Sequence, residues 1–360
     1  MIIEENVLLA PHTSFKIGGP AKKFVEIKSI EEAFEVFRSS ELKDLPVFVL
    51  GEGTNVLIGD EGFDGLAIKN SIKGFSFHRT DSFTMVTVFG GESWDGFVSA
   101  CVASNLAGVE NLSGIPGTVG AAPIQNIGAY GQSVSDVIEE ILVIDRLTGA
   151  RLSLKKEECG FGYRNSIFKS CPKRYFIVTV VFKLWPYVKP NLDYQDLKKA
   201  FAKRDSITIG EMRSAVLGIR ERKGALILFG FLGFNSAGSF FKNPIVDYDL
   251  FRRVQIQVEL FRFKNEMLSN EWFWKLSDGR VKIFAASLIE CAGFSRGSCL
   301  GQAGISSRHA LVLVNLGKAK AKDIVTLAQL IQYSVKTNFG VWLEPEIELV
   351  GFKENPLFKS

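Results

Sequence analysis

Three side chains in this 360-residue chain stand where chemistry could be done: a hydroxyl, a guanidinium and a carboxylate. Ser239 lies in Ser236-Ala237-Gly238-Ser239-Phe240-Phe241, with small residues before it and aromatic walls after it. A serine acts as a nucleophile only beside a base and an orienting acid. Of His12, His78 and His309, only His309 is even a remote candidate for that base. A hydroxyl also donates protons, and a turn serine commonly bonds its own backbone. On the residues alone these readings of Ser239 all stand. Arg164, in Gly162-Tyr163-Arg164-Asn165, offers a planar fork for a carboxylate, or forms a surface ion pair. Glu346 follows Leu343-Glu344-Pro345. Extended-strand alternation places Leu343, Ile347 and Leu349 on one face and Glu344, Glu346 and Glu348 on the other, a pattern shared with any solvated strand face.

Such groups need something to act on, and the glycines point to it. Residues 111–131 read NLSGIPGTVGAAPIQNIGAYG, without a charge and with glycine at 114, 117, 120, 128 and 131. Glycine costs ordering entropy, so its density has a cause. One cause is a tight packed turn; the other is bare N–H groups brought up to a phosphate. No Lys-Ser or Lys-Thr follows, and the G-x-G-x-x-G spacing is absent, so neither a Walker loop nor a Rossmann fingerprint is present. A second bend, Gly51-Glu52-Gly53-Thr54-Asn55, sits between the apolar runs 47–50 and 56–58. Strand, glycine turn and apolar segment form a phosphate-cradle layout.

Taken in chain order, the blocks LGEGTNVLIG (50–59), GIPGTVGAAPIQNIGAYG (114–131), CGFGYRNSIFK (159–169), AGSFFKNP (237–244) and VWLEPEIELVG (341–351) resemble the UDP-N-acetylenolpyruvoylglucosamine reductases, flavoenzymes of bacterial cell-wall precursor synthesis. The resemblance implies NADPH-dependent, FAD-mediated reduction of an enolpyruvyl sugar nucleotide to UDP-N-acetylmuramate. It places the proton-donor serine on Ser239 and the catalytic glutamate on Glu346, with Glu344 as the fallback; the substrate class it implies carries a carboxylate for Arg164 to bind, and either an Arg164–Glu346 pair or a proton shared through Ser239 is expected. It assigns FAD to Gly51, Glu52, Gly53, Thr54, Asn55, Val56 and Leu57, and to Ile115, Pro116, Gly117, Thr118, Gly120, Ala121, Ala122, Gln125, Asn126, Gly128, Ala129 and Tyr130. Tyr194 resembles the substrate-loop tyrosine of the longer subtype; Lys242, Asn243 and Arg213 complete the expected substrate contacts. The chain departs from the family at 224–234, an apolar run where members carry a proline-bearing polar turn. A hydrophobic lid or self-association surface is expected there, and Lys223 is left out of the ligand set.

The length exceeds one ordinary core, so more than one domain is expected. The resemblance implies an α+β fold with an FAD-binding PCMH-type region over 1–203 (subdomains near 1–73 and 74–203), a substrate-binding domain over 204–338, and a last strand, 339–360, returning to the FAD-binding region. Hydrophobic content of 46% supplies sizeable cores, and a net charge of +4 gives no electrostatic footprint for nucleic acid. The cysteines, at 101, 159, 171, 291 and 299, form no C-x-x-C pair and the histidines are scattered, so reduced thiols, a cytoplasmic setting and no metal are expected. The N-terminus lacks a basic segment, and the uncharged run 224–241 is broken by glycines, Asn235, Ser236 and Ser239, so neither a signal peptide nor a membrane contact is expected; the chain is read as a monomer.

Rival readings are another flavin oxidoreductase of the same fold, a serine hydrolase, or an inactive nucleotide-binding module. Several sugar and alcohol oxidases hold flavin through histidine, which neither glycine block contains, and no G-x-S-x-G elbow is present.

Local patterning gives the supports. Ser29 and Glu32 begin a helix to about Phe37, and Thr208 with Glu211 forms a second capping box. Trp94, Phe97, Val98, Cys101 and Val102 predict a helix over 92–106, stopped by Gly108. Strands are expected at 84–89, 138–145, 176–184, 311–314 and 341–350, and helices over 247–260, 283–291 and around 324–331.

Overall fold

In the computed structural model, residues 1–42, 44–172, 174–186, 191–223, 235–264 and 272–357 are described. The apolar run 224–234 lies outside them. The chain forms two compact units. The first comprises Met1–Val7, Ala21–Glu52 and Asp64–Phe231; the second comprises Leu8–Pro20, Gly53–Phe63 and Leu232–Ser360. Helix Ile209–Arg222 belongs to the first unit, and the early segments 8–20 and 53–63 to the second.

The first unit is organised by sheets whose inward residues the alternation marks. One sheet runs in the order Ile3–Leu8, Pro20–Ile27, Phe63–Asn70, Val47–Leu50, the last pair parallel. Helix Ile30–Arg38 packs Ala33 and Val36 into its core, capped as expected by the Ser29 side chain accepting from Glu32 N–H. The other sheet runs Arg151–Lys155, Ile138–Asp145, Tyr175–Pro186, Thr84–Phe89, Phe75–Arg79, antiparallel throughout. Helix Trp94–Ala103 lies in the second core, where Phe97 stacks on Phe182 at 4.8 Å. This helix is shorter than 92–106: Ser93 caps its start, and it ends at Ser104, before Asn105 turns left-handed at φ 55° and well before Gly108. A smaller cluster gathers Tyr130, Leu197, Met212, Val216 and Ile219 beneath helices Gln195–Ala200 and Ile209–Arg222.

The second unit has short strands around three helices, Tyr248–Lys264, Ala285–Cys291 and Ala321–Phe339. Ile324, Ala328, Ile331 and Val335 bury one face of the last helix. Its first N–H groups are held from afar: Ala321 and Lys322 donate to the two Asp60 oxygens at 2.8 and 3.2 Å, a carboxylate at the positive end of a helix dipole. Two expected strands are corrected. The strand near 311–314 is Leu313–Asn315, and the closing strand is only Glu348–Val350, paired in parallel with Val56–Ile58. Pro345 offers no N–H to a ladder, so among the described residues 341–347 forms one isolated bridge, Phe241 to Pro345, instead.

Candidate active site

In the first unit the two glycine bends meet. An added Cβ on Gly51 would stand 2.7 Å from Thr118 Oγ1, so Gly51 is what lets the bends touch. Glu52 fastens them: its carboxylate accepts the Gly117 N–H at 3.0 Å. Burial raises the Glu52 pKa above its ordinary value, against the lowering effects of Gly117 N–H and Lys73. Around this contact the main-chain N–H groups of Gly51, Glu52 and Thr118 donate no hydrogen bond among the described residues. Thr118 is bridged to Ser93 only through its neighbours, Trp94 N–H to Gly117 C=O and Val119 N–H to Glu92 C=O. In the second unit the N–H groups of Gly53 and Thr54 likewise donate to no described residue. Idle donors beside glycine fit the diphosphate of a dinucleotide such as FAD. Elsewhere in the stretch the glycine density has the packing cause: a Cβ on Gly120 would meet the Gly90 carbonyl at 2.9 Å.

Arg164 is also positioned on this stretch. Gly162 and Asn165 exchange N–H···O=C bonds of 3.0 and 3.2 Å, and Arg164 occupies the third position of that turn at φ 53°. A left-handed turn position ordinarily belongs to glycine or asparagine, so a half-buried arginine there is held against strain. Both terminal nitrogens donate to Gly128 C=O at 3.3 Å. Asn126 and Tyr130 share the left-handed conformation, at φ 45° and 49°. Asn126 Nδ2 donates to Gly162 C=O, and Ser166 Oγ to Ile124 C=O at 2.6 Å, so the arginine turn is tied to residues 124–128 twice more.

The expected substrate contacts of the first unit divide. Tyr194 meets Tyr130 edge-on at 5.1 Å, and Lys223 Nζ lies 5.5 Å from the Tyr194 ring centre while pairing with Asp196 at 2.5 Å. Burial raises the Tyr130 pKa and lowers that of Arg220, whose Nε donates to Gly114 C=O. Arg213, expected as a ligand, turns its fork onto Asp95 at 2.6 and 2.8 Å. Burial alone would raise the Asp95 pKa, but the Arg213 and Gly114 hydrogen bonds and the charges of Arg213 and Arg220 bring it below its ordinary value. Asp95 was not singled out from the sequence. Its one signal is a place between Trp94 and Phe97, beside the buried face of an otherwise apolar helix.

In the second unit Ser239 and Glu346 are brought together by main chain. Ser239 bridges Val312, Phe240 N–H donates to Leu311 C=O, and Glu346 N–H donates to Phe240 C=O at 2.8 Å. Asn55, at the end of the glycine bend, joins them: its Nδ2 donates to Glu346 C=O at 3.4 Å, and its C=O accepts Glu348 N–H at 2.9 Å. Glu346 and Ser239 are half-buried, whereas Glu344 and Glu348 are exposed, so the three acids do not share a solvated strand face. Gly238, at φ 73°, faces open space beside Ser239. His309 Nδ1 accepts Leu311 N–H at 3.1 Å, a turn bond that gives the histidine a structural task. Lys242 pairs with the exposed Glu344 at 3.0 Å, and Asn243 Oδ1 accepts Ala285 N–H, satisfying the start of a helix. Burial pushes the Cys101 and Cys159 thiols up to about 12 and Cys291 to about 11, which leaves them inert at neutral pH. Among the described residues no group of His, Cys, Asp and Glu could hold a metal ion, and no helix is long and apolar enough to cross a membrane.

Residues 21–154 match a profile of FAD-binding domains, and residues 231–350 match the C-terminal domain of UDP-N-acetylenolpyruvoylglucosamine reductase. A reductase of that name from Thermobifida fusca (strain YX) is 39% identical over 96% of this chain and 97% of its own length. The chain belongs to the UDP-N-acetylenolpyruvoylglucosamine reductase family. A relative of the same name from Shewanella sediminis (strain HAW-EB3) is 36% identical over 98% of this chain and 97% of its own. The crystal structure of the reductase from Thermus caldophilus aligns with a TM-score of 0.63 at 25% identity, covering 97% of this chain and all of the other. The fold is therefore the α+β flavoprotein fold of this family, with a PCMH-type FAD-binding domain.

Proposed function

We propose that the chain uses NADPH and FAD to reduce the enolpyruvyl ether of UDP-N-acetylglucosamine to UDP-N-acetylmuramate, a step of peptidoglycan precursor synthesis in the cytoplasm. FAD supplies the hydride chemistry when bound; the protein binds, orients and moves the proton. The observation that carries this reading, beside the family membership, is the junction of the two glycine bends. Gly51 against Thr118, and Glu52 against Gly117 N–H, leave unoccupied main-chain donors suited to a diphosphate.

In this reading residues 51–57 and 115–130 hold the cofactor. Ser239 Oγ delivers the proton to the carbon that gains electron density beside the substrate carboxylate. Arg164 binds that carboxylate, and one such preorganised contact lowers the barrier by about 3–4 kcal/mol. Glu346 supports the proton delivery from its place beside Phe240 in the same bridged segment as Ser239. Tyr194, Lys242 and Asn243 are proposed on the sugar nucleotide. Arg213, held by Asp95, acts there only after exchanging partners. The proposed division of labour is an FAD-binding region over 1–203, substrate binding over 204–338, and a closing segment 339–360 that serves the FAD-binding region.

The test is optical. Purified protein is expected to be yellow, to bleach anaerobically on addition of NADPH, and to recover colour only when the enolpyruvyl substrate is added. A colourless preparation that does not bind added FAD would overturn the cofactor assignment. Bleaching without substrate-dependent recovery would overturn the substrate assignment.

A further inference from the structure

Helix Tyr248–Lys264 is apolar on two faces. One face buries Phe251, Val254 and Val258 in the core of the second unit. The other exposes Ile256, Leu260 and Phe263 at 66%, 52% and 85%. At about 100° per residue these three form one narrow stripe that begins at Ile256 and runs toward the helix end. An apolar stripe backed by a packed core is stable in water only when something covers it.

One flank of the stripe indicates what does. Arg252 donates to Gln255 Oε1 at 3.1 Å, and Gln255 Nε2 donates to Glu259 Oε1 at 2.7 Å. The flank is thus positive toward the helix start and negative toward its end, with an amide between. Such a strip is complementary to itself when reversed. An antiparallel copy related by a twofold axis at Ile256 sets Ile256 against its own counterpart. It brings Arg252 within about 1.5 Å of rise of Glu259 on the second copy, because the two residues lie four before and three after the axis. The same operation lays the Arg253 stem along Leu260 and sets Phe263 level with the exposed Asp249 and next to the half-exposed Tyr248 of the other chain. The exposed charges of this face, Asp249, Arg252, Arg253 and Glu259, sum to zero, so an anionic lipid surface gains no net attraction there.

We infer that this helix face is an isologous interface between two copies of the chain. Self-matching of one surface is the hallmark of twofold association. A single helix pair covers less than a standard interface, so the dimer is weak, with a dissociation constant in the range of about 1–100 μM.

Sedimentation velocity on the full chain tests it. Wild type is expected to shift from monomer to dimer across that concentration range. Ile256→Asp abolishes the shift with an unchanged melting temperature, since the side chain is exposed. Arg252→Glu and Glu259→Arg each weaken the dimer, and the double reversal R252E/E259R restores it. The reversal also decides the matter should Ile256→Asp fail to fold. A wild type that stays monomeric at about 100 μM overturns the inference, as does a double reversal without rescue. Flotation of a monomeric wild type with phosphatidylserine vesicles would replace it with a membrane contact.

Discussion

The two units hold their candidate residues in different ways. In the first, side chains do the fastening: Glu52 to Gly117, Arg213 to Asp95, Arg164 to Gly128, Ser166 to Ile124. In the second, the segments carrying Ser239 and Glu346 are joined mainly by main chain: Phe240 to Glu346, Phe240 to Leu311, Glu348 to Asn55. A side-chain tie is lost with one substitution, whereas a main-chain tie survives replacement of the residue it positions. Substitutions of Ser239 and Glu346 therefore test chemistry with little structural confusion. Those in the first test chemistry and scaffold together.

The largest separation comes from Ser239→Ala. Its backbone bridge to Val312 persists, so folding and cofactor retention stay near wild type. Loss of the proton donor slows substrate turnover by about 10²–10⁴-fold. Stopped-flow absorbance reads both halves: NADPH still bleaches the flavin, and substrate no longer restores it promptly. Equal rates in the two proteins would remove Ser239 from the reaction.

Arg164→Gly sharpens the contrast, because one change reaches both scaffold and chemistry. Relief of the left-handed backbone, about 1 kcal/mol, is offset by loss of the hydrogen bonds to Gly128 C=O, so stability stays near wild type, while loss of the guanidinium lowers kcat by about 10²–10³-fold. Denaturant unfolding and steady-state kinetics measure the pair. A variant both less stable and fully active would reverse the assignment.

Arg213→Ala removes a bidentate partner from the half-buried Asp95 and lowers unfolding free energy by about 2 kcal/mol. The drop should be smaller in acid. The Asp95 pKa is held below its ordinary value, so the pair's contribution is present above that value and disappears as pH falls through the lowered one. Urea titrations at neutral and acidic pH check the sign; a pH-independent loss would leave packing of the arginine stem as the cause.

Glu52→Gln has the smallest effect. The Glu52 pKa is raised by burial, so its carboxylate opposes folding as pH rises through that raised value, and this opposition is absent below the ordinary 4.5. The glutamine keeps an acceptor for Gly117 N–H without the charge. It is expected to melt slightly above wild type at neutral pH and to converge with it in acid. The variant should also hold an anionic diphosphate no less tightly, which a flavin-release titration measures. Weaker retention at every pH would make the charge itself part of the cradle.

Local physics made much of the scaffold legible. Ser29 with Glu32, and Thr208 with Glu211, announced helix starts that the structure reproduces, and the alternation at Thr84–Phe89 matches its strand to the residue. These signals act within a few residues, so sequence alone carries them. The closing strand was less legible. The 341–350 alternation survives as burial of Leu343 and Ile347, but Pro345, which forms one isolated bridge with Phe241, leaves only Glu348–Val350 as a strand.

The order of residues along the chain is enough to specify the chemical groups, their succession, and the glycine bends that single them out. Tertiary structure alone decided which of those groups stand together. It set Gly51 on Thr118, drew Asp95 onto Arg213, turned Arg164 into a left-handed position and laid Phe240 beside Glu346. The reason is range: propensity and capping are settled by neighbours along the chain, whereas these contacts join residues tens to hundreds apart and exist only once the cores have formed.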